Sequence, residues 1–335
     1  MSRRDLAIDL GTSNTLVYQP GRGIVFDQPT ILAVERNGNV LAVGHEARKL
    51  LRENPGDLVP VRPVQRGAIT DFDLARQMIR LILRQVDMGR MFKPRVLVCA
   101  VSSLTEVERK ALDQAVVAGG ARSATLIEES LAAAVGAGLP IHEPIGSLVV
   151  DVGGGTSEIA VLAMGGVVLG RSAPVGGLDM DGAIQLYVRN RYGVVIGDRT
   201  AERIKIELGS AYPAAQARMV EIRGREMGSG MPTVIPLGPE EAREALAGVV
   251  SSIVVATREA LAESPPDLAQ DVLDTGLFLT GGGAMLRGLD MRIAQECEVP
   301  VHLTEQPLAT VVLGAGHLLE SMPDAGPFPV GQRRG

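Results

Sequence analysis

The chain has 335 residues, long enough for about two hydrophobic cores, with 46% hydrophobic and 21% charged residues, 40 glycines and no tryptophan. Its formal net charge of −6 argues against a general nucleic-acid binder, because the phosphate backbone demands a basic face. Cys99 and Cys297 stand far apart, and His45, His142, His302 and His317 lack ligand spacing, so neither a disulfide scaffold nor a histidine metal site is expected.

In chain order, Leu6-Ala7-Ile8-Asp9-Leu10 is an apolar strand carrying an acid near its end. Gly11-Thr12-Ser13-Asn14 turns it into a second apolar run, residues 16–18, which reads as a β-hairpin. Residues 30–34 and 40–43 flank Asn37-Gly38, a strong hairpin turn, and residues 46–51 form a short helix stopped by Pro55-Gly56. Thr70 with Asp73 reads as a capping box for a helix carrying Leu74, Met78, Leu81, Ile82 and Gln85 on one side. A nearly unbroken apolar strand at 96–101, a helix at 105–118 and a strand at 124–127 follow. Alternating helices and apolar strands indicate a mixed α/β sheet covered by helices.

After a linker at 139–144 the plan repeats. Leu148-Val149-Val150-Asp151-Val152 reaches Gly153-Gly154-Gly155-Thr156-Ser157 and a second apolar run at 159–162. Glycines let the backbone turn sharply and expose successive N–H groups, a concavity that binds phosphate, and an acid at the strand end suits a hydrated Mg²⁺. One such turn is as easily a plain hairpin. Two copies with an Asp at the same offset, about 140 residues apart, read as a duplicated unit gripping one polyphosphate from both sides. The chain has no G-x-x-x-x-G-K-[ST], and no G-x-G-x-x-G follows a strand, so ordinary P-loop and Rossmann sites are excluded. Helices at 180–192 and 200–208 come next, then two edge strands within 220–237 around a Gly-Ser-Gly loop. Pro239 starts a long helix with Leu246, Val249, Val250, Ile253, Val254, Thr257 and Leu261 at helical spacing, ended by Ser264-Pro265-Pro266. A strand at 277–280 runs into Gly281-Gly282-Gly283-Ala284-Met285-Leu286, and a terminal helix covers 307–320.

The two Asp-x-Gly hairpins, Ile127-Glu128-Glu129 before Leu131-Ala132-Ala133-Ala134, and Leu279-Thr280-Gly281-Gly282-Gly283-Ala284 resemble the actin and 70-kDa heat-shock ATPase superfamily. Within it, Ile8-Asp9-Leu10-Gly11-Thr12, Val43-Gly44-His45-Glu46-Ala47, Ala201-Glu202-Arg203-Ile204-Lys205 and Gly209-Ser210-Ala211-Tyr212-Pro213 resemble the MreB family of rod-shape-determining bacterial actins, from about Asp5 to Glu320. The resemblance implies an α/β, actin-like ATPase fold of two duplicated ribonuclease H-like domains flanking a nucleotide cleft. Domain I would span 1–144 with a smaller subdomain at about 33–72. Domain II would span 145–320 with a smaller subdomain at about 181–242, its helix 307–320 returning to domain I. Residues 321–335, rich in Pro, Gly and Arg, are expected to be a disordered tail.

The same resemblance implies ATP and Mg²⁺ as cofactors. Asp9 and Asp151 would organise Mg²⁺ through waters, and Gly11, Thr12, Ser13 and Asn14 would hold phosphates opposite Gly153, Gly154, Gly155 and Thr156. Glu129 matches the carboxylate that orients the attacking water, with Glu128 beside it. Glu202, Arg203 and Lys205 would reach the ribose and base, and Gly281, Gly282, Gly283, Ala284 and Met285 would close over the adenine. Taken alone, the acids also fit simpler roles: turn caps for Asp9 and Asp151, a helix-start acid for Glu129, an exposed ion pair for Glu202 with Lys205. Three departures put hydrolysis in question. Ser130 replaces a proline, Val101-Ser102-Ser103 replaces a Pro-Ser-Gly turn, and Leu178 stands where an active-site aspartate is usual, with Asp179 one position along.

The implied function is an ATP-binding, filament-forming bacterial actin that scaffolds cell-wall synthesis and maintains rod shape, with slow ATPase activity. Its implied partners are itself, the inner-membrane surface and cell-wall synthesis and shape proteins, with no nucleic acid. Met91 and Phe92, set among Arg90, Lys93 and Arg95, match the place of a family loop that enters lipid. No apolar run approaches the ~18 residues of a membrane span and the chain start leads straight into a strand, so a cytoplasmic protein at the inner membrane is expected. A sugar or acetate kinase of the same fold, or a chaperone-type ATPase, is the alternative.

Overall fold

The computed structural model describes residues 5–86, 93–213 and 219–321. Met91 and Phe92, the chain start and residues 322–335 of the expected tail lie outside them. The first half runs β1 (Leu6–Leu10), β2 (Asn14–Gln19), β3 (Gly23–Pro29), β4 (Leu32–Glu35), β5 (Val40–Val43), α1 (Gly44–Glu53), β6 (Leu58–Val61), β7 (Val64–Gln65), β8 (Ala68–Ile69), α2 (Phe72–Gln85), β9 (Arg95–Ala100), α3 (Glu106–Gly119), β10 (Ser123–Glu128) and α4 (Glu129–Gly136). The second half runs β11 (Ser147–Val152), β12 (Ser157–Ala163), β13 (Gly166–Ala173), α5 (Gly177–Tyr192), β14 (Val194–Val195), α6 (Asp198–Leu208), β15 (Val220–Glu226), β16 (Pro232–Leu237), α7 (Pro239–Glu263), α8 (Pro266–Thr275), β17 (Leu277–Thr280), a 3₁₀ turn (Gly282–Met285), α9 (Leu289–Cys297), β18 (Val301–Leu303) and α10 (Thr310–Ser321).

Two five-stranded sheets have the same plan, β10-β9-β1-β2-β3 and β13-β12-β11-β17-β18. In each, an antiparallel meander opens with the Asp-x-Gly hairpin and two parallel strands join its first strand on the other side. Parallel strands need covered faces. Accordingly β11, parallel to β17, is buried along its whole length, and so is its antiparallel neighbour β12. Small sheets β5-β4-β6 and β14-β15-β16 and a β7-β8 ribbon sit outside this core.

The layer between the two large sheets is made by α4 and α10. Ala132, Ala133 and Ala134 of α4 and Val311, Val312 and Ala315 of α10 share one core with Ala7 and Leu97 of the first sheet and Val149 and Leu162 of the second. A Cβ on Gly136 would lie 1.9 Å from the Thr310 carbonyl oxygen, and one on Gly314 1.8 Å from that of Ala132. Only bare backbones allow so close a crossing, so α10 returns from the end of the chain onto the first sheet.

Local signals hold with specific amendments. Thr105 and Glu108 form a capping box at α3. At α2 the cap is Asp71, which accepts from the Leu74 N–H at 2.9 Å, while the Thr70 hydroxyl donates to the Pro63 carbonyl. The buried face of α2 is Ala75, Met78, Ile79, Ile82 and Leu83, so Leu74 and Leu81 flank it. The strand β15 is central in its sheet and only β14 and β16 are edges, because β14 supplies a short antiparallel partner. At 25 residues, α7 is by length and composition apolar enough to cross a bilayer, contrary to the sequence expectation. It instead packs Ala242, Leu246, Val250, Ile253, Val254, Thr257 and Ala260 into the core of the second half, against α5, α9, β12 and β13.

Candidate functional site

The two glycine turns meet face to face. A Cβ on Gly154 would fall 2.1 Å from Ser13 Oγ and 2.8 Å from Ser13 Cβ, and one on Gly155 would fall 3.0 Å from Thr12 Oγ1. The three-glycine turn is bare because the opposite turn brings hydroxyls to it. Its carbonyls are occupied from behind, since Gly153 and Gly154 accept from the Gly177 and Leu178 N–H groups at 3.0 and 2.8 Å. These are first-turn donors of α5 that have no partner within the helix.

Behind the turns the acids converge. Asp9 lies opposite Cys99 across β1 and β9, and Asp151, next to last in β11, has 3% of its surface exposed. Glu129 begins α4. Burial pushes both Asp9 and Asp151 from 3.8 up to about 7, and at Asp151 the charges of Asp9 and Glu158 push the same way. Burial, then the charges of Asp151 and Asp9, hold Glu129 well above the usual carboxylate range, and its carboxyl is hydrogen-bonded to Asp151. The Cys99 thiol is also pushed well up by burial and by these acids, so it is an inert core residue and no nucleophile.

No lysine or arginine among the described residues forms an ion pair with any of these three carboxyls. Among the described residues no three His, Cys, Asp or Glu side chains close around one ion. Three buried carboxyls that burial keeps from ionising, without a closed ligand cage, fit a hydrated divalent cation that would favour their charged forms.

On the other wall, Lys205 Nζ donates to the Gly177 carbonyl at 2.9 Å and pairs with Asp181 at 2.9 Å. Lys205 is therefore engaged with Asp181, and Glu202 and Arg203 are exposed on α6. The loop Gly281–Gly283 backs directly onto the acid strand. A Cβ on Gly281, whose φ is +85°, would lie 2.2 Å from Asp151 Oδ1, and one on Gly283 would lie 2.3 Å from a Val152 methyl. Ala284 is buried and Met285 is 55% exposed. Asp179, one position past Leu178, is spoken for: it accepts from the Gly176 N–H at 2.9 Å and reaches Arg66 at 3.4 Å.

Sequence reasoning missed Glu158. It stands directly opposite Asp151 on β12 and opposite Ser172 on β13, and is 1% exposed. Ser102 donates to it through both backbone N–H (3.0 Å) and hydroxyl (2.6 Å), and the Ser172 hydroxyl donates to its other oxygen. Ser102 follows β9 of the first sheet, so this buried carboxylate ties the two halves together. The available signal was an acid inside the apolar run 157–163, where the alternation of a half-exposed strand gives no reason for one.

The chain matches the family profile described as MreB/Mbl protein over residues 3–326. It is 46% identical over 327 residues to the cell shape-determining protein MreB of Escherichia coli (strain K12), a match covering 96% of this chain and 94% of that one. Among solved structures it is similar to MreB5 of Spiroplasma citri bound to ADP, with a TM-score of 0.90, 33% identity and coverage of 96% and 97%. The MamK double helical filament, at 19% identity and a TM-score of 0.81 over 95% of this chain and 100% of that one, shares the fold. With nearly its whole length matched in sequence and its duplicated sheets matched in space, the chain belongs to the MreB/Mbl family and has the actin-like fold.

Proposed function

We infer that the protein binds ATP with Mg²⁺ and assembles into filaments that scaffold cell-wall synthesis and maintain rod shape at the inner face of the inner membrane. The observation that carries this reading is the pair of facing glycine turns backed by Asp9, Glu129 and Asp151. It is supported by the ADP bound to MreB5 and by the filament of the actin-like MamK. Residues 1–144 and 145–320 form the two domains, with smaller subdomains at about 33–72 and 181–242. Gly11–Asn14 and Gly153–Thr156 would offer amides and hydroxyls to the phosphates, Asp9 and Asp151 would hold Mg²⁺ through waters, and Glu129 would direct the attacking water. Glu202, Arg203 and Lys205 line the ribose side and Gly281–Met285 the adenine side. When bound, the cation neutralises phosphate charge. The protein's part is positioning and electrostatics, which suffice for phosphoryl chemistry.

A head-to-tail contact that does not close into a ring propagates as a filament. Light scattering and negative-stain microscopy of the purified protein should show Mg-ATP-dependent double filaments. Monomer alone at high concentration across salt and nucleotide conditions overturns the cytoskeletal reading. For the membrane, filaments of Met91→Ser/Phe92→Ser should assemble yet no longer pellet with anionic liposomes, because polymerisation multiplies a weak lipid contact. Unchanged pelleting removes those residues from the reading. A kinase or chaperone-type ATPase is not favoured, since the relatives matched along the chain are shape-determining proteins.

A further inference from the structure

Arg62, in the loop between β6 and β7, has none of the roles assigned above. Its Nη1 donates to the Thr12 carbonyl oxygen in the first glycine turn at 3.4 Å. The β7–β8 turn that follows brings the Gly67 N–H to Thr12 Oγ1 at 3.4 Å, and a Cβ on Gly155 would meet the Arg66 nitrogen at 3.2 Å. The segment 62–67, strand β7 and its two flanking connections, therefore lies against both turns.

The charge around Arg62 is unbalanced. Its side chain is half-buried, and burial, with the nearby Arg48 guanidinium, pushes its pKa below the usual arginine value. The carboxylates of Asp198, Glu202 and Asp181 act on it from across the cleft, but among the described residues none forms an ion pair with it. Of these acids, Asp181 is paired with Lys205 and Asp198 accepts from the Gln185 side-chain amide at 2.9 Å, while Glu202 is exposed on α6. A partly desolvated guanidinium whose only hydrogen-bond acceptor among the described residues is a backbone carbonyl, next to a second guanidinium, calls for an anion rich in oxygens. Its planar fork matches phosphate geometry.

We propose that Arg62 is a phosphate-contacting residue, donating to the polyphosphate held between the Gly11–Asn14 and Gly153–Thr156 turns. This rests on the nucleotide reading of the cleft and adds a ligand carried by the β6–β7 loop. Polyphosphate would thereby draw the small sheet β5-β4-β6 toward the large ones.

The test is equilibrium binding of adenosine, Mg-ADP and Mg-ATP to the full chain, as wild type, Arg62→Gln and Arg62→Lys. Charge-assisted bonds to phosphate predict that Arg62→Gln weakens Mg-ADP and Mg-ATP by about 10-fold or more and leaves adenosine within about twofold. Arg62→Lys should recover part of the loss, because it restores the charge without the fork. Retained adenosine binding shows that the variant site is folded. Equal weakening of all three ligands assigns Arg62 to a tie with the acids across the cleft and overturns the proposal, as does unchanged binding of all three. A wild type that binds none of them overturns the nucleotide reading itself.

Discussion

In the first hairpin Asp9 is flanked across the strands by Leu16 and Cys99, whereas in the second Asp151 lies between Glu158 and Thr280. The turns differ as well: Gly11-Thr12-Ser13 carries hydroxyls, and Gly153-Gly154-Gly155 carries none. The backbone plan is shared and the surfaces are complementary, as two copies facing each other require. Where one copy supplies side chains, the other must supply room. The second copy also holds an extra buried carboxylate opposite its aspartate, an arrangement that costs stability unless that carboxylate is well solvated by donors. Ser102 and Ser172 provide them.

The comparison breaks most visibly at the acids. Asp151→Asn should lower Mg-nucleotide affinity on the order of 10²-fold while stabilising the nucleotide-free protein at pH 8. The sign follows from Asp151 rising from 3.8 to about 7. Between those values the folded chain binds more protons than the unfolded one, so stability present below about pH 4 is lost as pH rises to about 7. The gain from removing the charge is on the order of 4 kcal/mol at pH 8 and vanishes toward pH 4. Thermal melts of both proteins from pH 4 to 8 check it, and parallel curves would refute it.

Leu178→Asp sharpens the contrast next. Asp179 is held by the Gly176 N–H and Arg66, and Leu178 cannot accept a hydrogen bond from water. Restoring a carboxylate at 178 should raise phosphate release about 10²-fold, roughly 3 kcal/mol of barrier, with ATP affinity little changed. Wild-type turnover equal to that of Leu178→Asp, with Glu129→Ala abolishing release, would show the site complete without it.

A smaller effect separates two neighbouring glycines. Gly154→Ala puts a methyl against Ser13 and should weaken nucleotide binding about 10-fold, whereas a Cβ on Gly153 meets only the Thr156 carbonyl, at 3.2 Å. Gly153→Ala should cost less than about threefold. Binding isotherms that rank the two the other way would contradict the facing geometry.

Smallest is the effect at the Arg66–Asp179 pair, whose side chains are 59% and 28% exposed. Exposed pairs contribute at most about 1 kcal/mol, so Arg66→Ala should speed nucleotide release a few-fold at low salt and leave it unchanged at high salt. Stopped-flow release across ionic strength reads this directly.

The sequence by itself determined the duplicated strands, the glycine turns, the acids that end the strands and the family, because these are local signals: apolar runs, glycine chemistry and an acid at a fixed offset. Long helices such as α7 were equally legible from their spacing, whereas β3, α8, α9 and β18, short or weakly periodic, were not. Tertiary structure decided the rest. Glu158 meets Ser102, Arg62 meets Thr12, and Gly136 meets Thr310 only after the two halves dock. Lys205 takes Asp181 as its partner because α5 and α6 pack side by side. Even the α2 cap, at Asp71 instead of Thr70, turned on tertiary context, since the Thr70 hydroxyl is used by the Pro63 carbonyl. Partner choice among buried polar groups is set by which elements lie within hydrogen-bond reach, and sequence separation carries no record of that.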